Sequence, residues 1–102
     1  MKTFLVKLDI RAGEYEKTAM TLIEAENAVL AGDYAIHGEA HGPEVLDWDD
    51  RGAYDLGGEF HYSVSSTHEL NAVESEVFRD HLCVYPCSED ELKKSGNWSE
   101  VQ

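Results

Sequence analysis

Along the first strand-length of chain, Phe4, Val6, Leu8 and Ile10 recur at every second position, with Lys7 and Asp9 between them. A period of two belongs to a half-buried strand, so residues 3–10 are expected to be extended. Arg11-Ala12-Gly13-Glu14 is a short polar turn containing glycine. A second run over about 15–25 sets Met20 and Leu22 on one side and Thr21 on the other, and the two runs predict an antiparallel hairpin. The spacing then changes. Asn27 can cap a helix over 28–40 whose buried stripe comes from Ala28, Ala31 and Ala35, with Leu30 and Tyr34. Gly32 and Gly38 weaken it, each by about 1 kcal/mol relative to alanine. Small residues on the stripe predict close packing on a sheet, and Gly42-Pro43 ends the element.

Residues 43–58 show neither period and read as irregular. From Glu59 the alternation returns, with Phe60, Tyr62 and Val64 against His61, Ser63 and Ser65, giving a third strand to about Leu70. Asn71 with Glu74 matches a capping box. Val73, Val77, Phe78, Leu82 and Tyr85 follow at helical spacing, so the second helix is expected to reach Pro86. Ser88 with Glu91 repeats the capping pattern for a short helix closed by Gly96. Residues 95–102 read as a flexible tail. The expected fold is α+β, a single domain over 1–102 in the order β-β-α-β-α. Its three-stranded sheet, antiparallel or mixed, would carry helices on one face and leave the other open.

Composition supports folding: at 102 residues, 42% hydrophobic and 10% aromatic, the chain can build one modest core. Charge changes the picture more. Asp and Glu number 21 against 8 Lys and Arg, a formal net of -13. Such a field repels nucleic acid and anionic lipid, so direct binding to either is not expected and basic proteins become the natural partners. The charge is uneven, since Arg51 is the only Lys or Arg between Glu24 and Glu76. The apolar run at Phe4-Leu5-Val6 is broken by Lys7 and Asp9 before a signal-peptide core forms, and no stretch approaches the roughly 20 apolar residues of a membrane span. With only 2 cysteines, a bacterial cytoplasm is the expected location.

The acidic stretch offers the clearest candidate site. Glu44, Asp47, Asp49, Asp50, Asp55 and Glu59 would supply charge, and Trp48 and Tyr54 either an apolar anchor for a partner or closure of the core. If Asp47 and Asp49 lie on extended chain, their carboxylates project on one side about 6–7 Å apart, comparable with successive nucleic-acid phosphates. Asp47 to Gly52 fails as a calcium loop, because Arg51 takes a ligand position and Gly58 stands where the closing glutamate belongs. His81, Cys83 and Cys87, with His68 or His61, form an incomplete zinc set lacking a second pair of closely spaced ligands. Cys83 and His81 are badly spaced for a nucleophile and its base. No catalytic motif is present, and neither a cofactor nor a metal is expected.

The opening Lys2-Thr3-Phe4-Leu5-Val6-Lys7-Leu8-Asp9, the run Ile23 to Ala28, and Trp48-Asp49-Asp50-x-Gly52-x-Tyr54-Asp55 with Gly58-Glu59-Phe60-x-Tyr62 resemble small proteins of bacterial genomes, phages and mobile elements. The likeness covers about three quarters of the chain and brings no catalytic residues. Size and acidity also resemble anti-CRISPR and anti-restriction proteins. That resemblance implies a non-enzymatic inhibitor, a nucleic-acid mimic seated in a basic groove of a bacterial defence or nucleic-acid-processing complex. Two alternatives are a structural module that self-associates as a homodimer through its sheet, and a small zinc protein.

Overall fold

The computed structural model describes residues 1–101. The hairpin forms as its alternation requires. Strands β1 (Lys2–Ala12) and β2 (Tyr15–Ala25) pair antiparallel without a break, from Lys2 opposite Ala25 to Ala12 opposite Tyr15. Phe4, Val6, Leu8 and Ile10 are all buried on one face, as is Ile23 across from Phe4. Helix α1 (Ala28–Glu39) lies on that face. Its first turn is capped by the Asn27 side chain, which accepts from the Leu30 N–H at 2.9 Å. Ala31, Ala35 and Ile36 are buried against the sheet, whereas Ala28 at the exposed start of the helix is not.

The sheet is larger than the three strands expected. It has six, in the order β3-β4-β5-β1-β2-β6, and is mixed. Within the stretch read as irregular, β3 (Asp47–Asp49) and β4 (Gly52–Asp55) form a second antiparallel hairpin, and β4 pairs with β5 (Phe60–Glu69). Strand β5 lies beside β1, as the β-α-β order predicts. Helix α2 (Ala72–Arg79) has its capping box, Asn71 and Glu74 each bonding the other's backbone, but stops well short of Pro86. Val84 to Pro86 instead form β6, an edge strand parallel to β2, where a proline without an N–H is tolerated. Strands of three or four residues are too short for a period of two to show.

The helices also occupy both faces. The crossovers β2-α1-β3 and β5-α2-β6 join parallel strands and run in opposite directions across the sheet, and right-handed connections then place α1 and α2 on opposite sides. The contacts agree. His68 and Glu24 point to the second face, and they bond Glu74 and Arg79 of α2 at 3.3 and 3.2 Å. Leu22, another second-face position, is fully buried. Helix α2 therefore covers one half of the second face and leaves the half around Asp9, Arg11 and His61 open.

The C-terminal segment is not a loose tail. After α3 (Glu89–Lys93), Ser95 is fully buried and α4 (Trp98–Val101) sets Trp98 into the core with 6% of its surface exposed. Gly96 has φ 54° and passes so close to Leu46 that a Cβ would fall 1.8 Å from the Leu46 carbonyl oxygen. The Asn97 side chain accepts from the Trp48 N–H at 2.6 Å and donates to the Trp48 carbonyl at 3.2 Å, holding β3 from its outer edge. The Trp98 indole N–H donates to Asp33 of α1 at 2.9 Å. Among the described residues no helix is long and apolar enough to cross a membrane.

Candidate interaction surface

The β3–β4 hairpin divides the acidic stretch by strand alternation. Asp47 and Asp49 point one way and Trp48 the other, into the core, where it is 3% exposed. The extended backbone expected at the two aspartates is thus present. Asp49 also acts within its own turn, where its Oδ1 accepts from the Arg51 and Gly52 N–H groups at 2.8 and 3.1 Å and closes the hairpin. Gly52 is required there, since at φ 148° a Cβ would lie 1.9 Å from the Tyr62 carbonyl oxygen. Asp50 and Arg51 stand exposed at the tip.

Asp55, at the other end of β4, is fully buried. Its carboxylate accepts from the His41 N–H at 2.7 Å, the Gly42 N–H at 3.2 Å and the Tyr62 hydroxyl at 3.1 Å, with His41 Nδ1 at 3.4 Å. Burial works to raise the Asp55 pKa, but these donors prevail and hold it below the usual carboxylate value. Burial, reinforced by the same pairing, pushes the Tyr62 phenol up. The His41 ring stacks on Phe60, 4.8 Å between centroids. This network ties the exit of α1 to the sheet. The chain carries only a late sign of it, because once β4 is recognised Asp55 falls on the same face as the buried Ala53.

The eight residues expected at a partner surface therefore separate. Trp48 and Asp55 are inside the protein and cannot present an anchor or a charge. Asp47 and Tyr54 face each other across β3 and β4 on the second face, where Tyr54 packs on His61 at 4.5 Å. Asp49 and Asp50 stand at the hairpin tip; Glu59 lies past the far end of β4, about 13 Å away along the strand. Glu44 sits in a 3-10 turn over Pro43–Val45. Residues 44–59 are not one patch.

Carboxylates are in excess on both sides of the sheet. The side bearing α1, α3 and α4 displays Glu26, Glu39, Glu89, Asp90, Glu91 and Glu100 to solvent, with Lys93 and Lys94 beside them. On the second face Arg11 pairs with Glu16 at 2.7 Å and Arg79 with Glu24 at 3.2 Å, and Lys7 stands on the same strand as Asp9, but Asp47, Glu76 and Asp80 stand exposed with no Lys or Arg partner among the described residues. Each side has a depression. One of about 540 Å³ on the open half of the second face mixes Arg11, Lys17 and Arg51 with Asp9, Glu16 and His61. The other, about 530 Å³, runs between α1, the β3–β4 tip and Val101, and joins Asp33, Asp49 and Asp50 to apolar walls. Asp33 is partly buried there, which raises its pKa, although its bond from Trp98 works the other way. Trp48 lines this cleft, and its Nε1–H is buried without a hydrogen-bond partner among the described residues.

Among the described residues no three His, Cys, Asp or Glu side chains converge as metal ligands. Cys83 is exposed, whereas Cys87 is half-buried beside the Leu30 carbonyl, its thiol pushed up to about 11 by burial and by nearby Glu89, Asp33 and Glu91. Compared with protein-family models, curated proteins and solved structures, the chain matches none.

Proposed function

We propose that this protein works by binding, presenting exposed carboxylates to a basic surface of a protein partner. The observation that carries the reading is the excess of carboxylates over cations on both sides of the sheet. Glu26, Glu39, Glu89, Asp90, Glu91 and Glu100 outnumber Lys93 and Lys94 on the helical side, and Asp47, Glu76 and Asp80 add to the paired ions of the second face. An acidic field of this kind steers association with a basic surface. The finer form of the proposal is an inhibitor that occupies a nucleic-acid-binding groove of a bacterial defence or nucleic-acid-processing complex, acting as a nucleic-acid mimic in the manner of anti-CRISPR proteins. It follows from charge and size alone.

The test is capture from a bacterial lysate at low salt on immobilised protein. The expected result is retention of nucleic-acid-binding proteins that are released by a salt gradient and displaced by added duplex DNA. Retention insensitive to both salt and DNA would contradict the mimic, and no retention at low salt would contradict binding by charge.

A further inference from the structure

Strand β2 has a free edge. Its neighbour β6 pairs only with Leu22, Ile23 and Glu24, so residues 15–21 meet β1 on one side and no described strand on the other. The Glu24 carbonyl accepts from the Cys87 N–H on the β6 side. Strand alternation then turns the N–H and C=O groups of Glu16, Thr18 and Met20 to that same side, where no strand pairs with them. All of these residues are exposed. A row of unpaired backbone groups is a template for another strand. A separate feature adjoins it. Between α1 and the β2–β6 pair lies a hollow of about 210 Å³, lined by Thr21, Ile23, Ala35, Tyr34 and Tyr85, with Glu39 as its charged residue.

A second copy of this chain does not suit the edge. Two-fold pairing centred on Thr18 sets Glu14 of one copy across from Leu22 of the other, a place Val84 already holds. Moving the centre to Lys17 frees that place but sets Lys17 against Lys17, and like charges directly opposite are destabilising. A segment of another protein meets neither obstacle. Its charge is set by the surroundings: Glu16 stands on the edge, Glu39 lines the hollow, and the chain as a whole carries -13. In a segment lying antiparallel to β2, the residue across from Ala19 points to the α1 face, about 7 Å along the strand from Thr21. An arginine spans that distance, its stem along apolar walls and its head against the tyrosine rings and Glu39.

We propose that the free edge of β2 takes up a basic extended segment of the partner protein as an added strand, with one arginine of that segment in the Tyr34–Tyr85 hollow. Backbone pairing supplies affinity and the hollow supplies specificity. The inference rests on the acidic-binding reading above and gives it a site.

The test is titration of the full chain, followed by amide resonances and hydrogen exchange, with the capped peptide valine-arginine-threonine-valine-arginine. Its control is the same peptide N-methylated at threonine and at the second arginine, which keeps the charge and removes donors that face the edge. The expected result is a saturable shift and slowed exchange of the Glu16, Thr18 and Met20 N–H groups with the first peptide and neither with the second. Thr18→Pro removes an N–H that pairs with no strand of the fold and should weaken binding about tenfold. Gly38→Leu, at a position where a Cβ meets nothing within 4 Å, should fill the hollow and weaken binding about tenfold as well. Equal binding of both peptides, or binding indifferent to both substitutions, overturns the added strand and leaves the acidic reading intact. Failure of the first peptide where a long oligoarginine still binds at low salt does the same. Failure of both at low salt overturns the added strand and the acidic reading together.

Discussion

The two sides of the sheet are built to different standards. On the α1 side, Phe4, Val6, Leu8 and Ile10 meet Ala31, Ala35, Ile36, Leu92 and Trp98 in one continuous core, and the helices that cover it carry unmatched carboxylates. On the other side α2 shields Leu22 near one end, the rest is open, and Arg11 and Arg79 are held in ion pairs while Asp47, Glu76 and Asp80 stand exposed. Packing is therefore concentrated on one side, whereas the acidic excess is carried by both. Individual aspartates show how position decides the role: Asp55 orders backbone inside the protein, while Asp50 on the same hairpin is free for a partner.

The largest expected loss tests whether the C-terminal segment closes the α1 side. Trp98→Ala removes a buried indole and leaves Asp33 without its donor, so urea denaturation should show a loss of about 3–5 kcal/mol. A loss below about 1 kcal/mol, in the range of a surface change, would return this segment to the status of a tail. Next comes Asp55→Ala, which strands two backbone N–H groups and the Tyr62 hydroxyl; it should cost about 2–4 kcal/mol, against about 0.5 or less for Asp50→Ala.

Acid titration sharpens the contrast within the α1 side, because its two aspartates with shifted pKa values act in opposite senses. The fold depresses the Asp55 pKa, so its contribution is present above the unfolded value of about 3.9 and is lost as pH falls through the lower folded value. The fold raises the Asp33 pKa, so its contribution is present below about 3.9 and is lost as pH rises through the higher folded value. Urea midpoints measured across this range should fall less on acidification in Asp55→Asn, and more in Asp33→Asn, than in the parent. The reverse ordering would contradict the assignment.

The second face should yield the smallest effects. Asn71→Ala breaks the α2 capping box and should cost about 1 kcal/mol. Arg11→Gln breaks an exposed ion pair and should stay within about 0.5 kcal/mol. A larger loss from Arg11→Gln than from Asn71→Ala would mean that the open half is less marginal than its exposure implies.

What can be read in the chain follows from the length over which a pattern repeats. Eleven-residue strands such as β1 and β2 display their alternation, and Asn27, Asn71 and Ser88 each announce a cap that the structure contains. β3, β4 and β6 exist only because longer strands offer an edge to pair with, and that is a tertiary fact. The turn glycines Gly52 and Gly96 are visible as letters, but the backbone oxygens they must avoid are not. The acidic surplus is legible as a quantity but not as a place. Residues 44–59 read as its centre, yet alternation turns Trp48 inward, Asp55 is buried with its own backbone donors, and the helices hold the larger exposed share. Trp98 is the sign most easily overlooked, since a terminal polar segment has little use for a large indole unless it docks.

The most direct test of binding by charge is affinity for a labelled oligoarginine peptide, read by fluorescence anisotropy at low and at physiological salt. Two variants of equal net charge are compared with the parent: Asp50→Asn with Glu89→Gln and Glu100→Gln at the tip and on the helical side, and Asp9→Asn with Glu16→Gln and Asp47→Asn on the second face. An acidic excess carried by both sides predicts binding that weakens with salt and is reduced by either set. Affinity indifferent to salt, or unchanged by both sets, would contradict binding by charge.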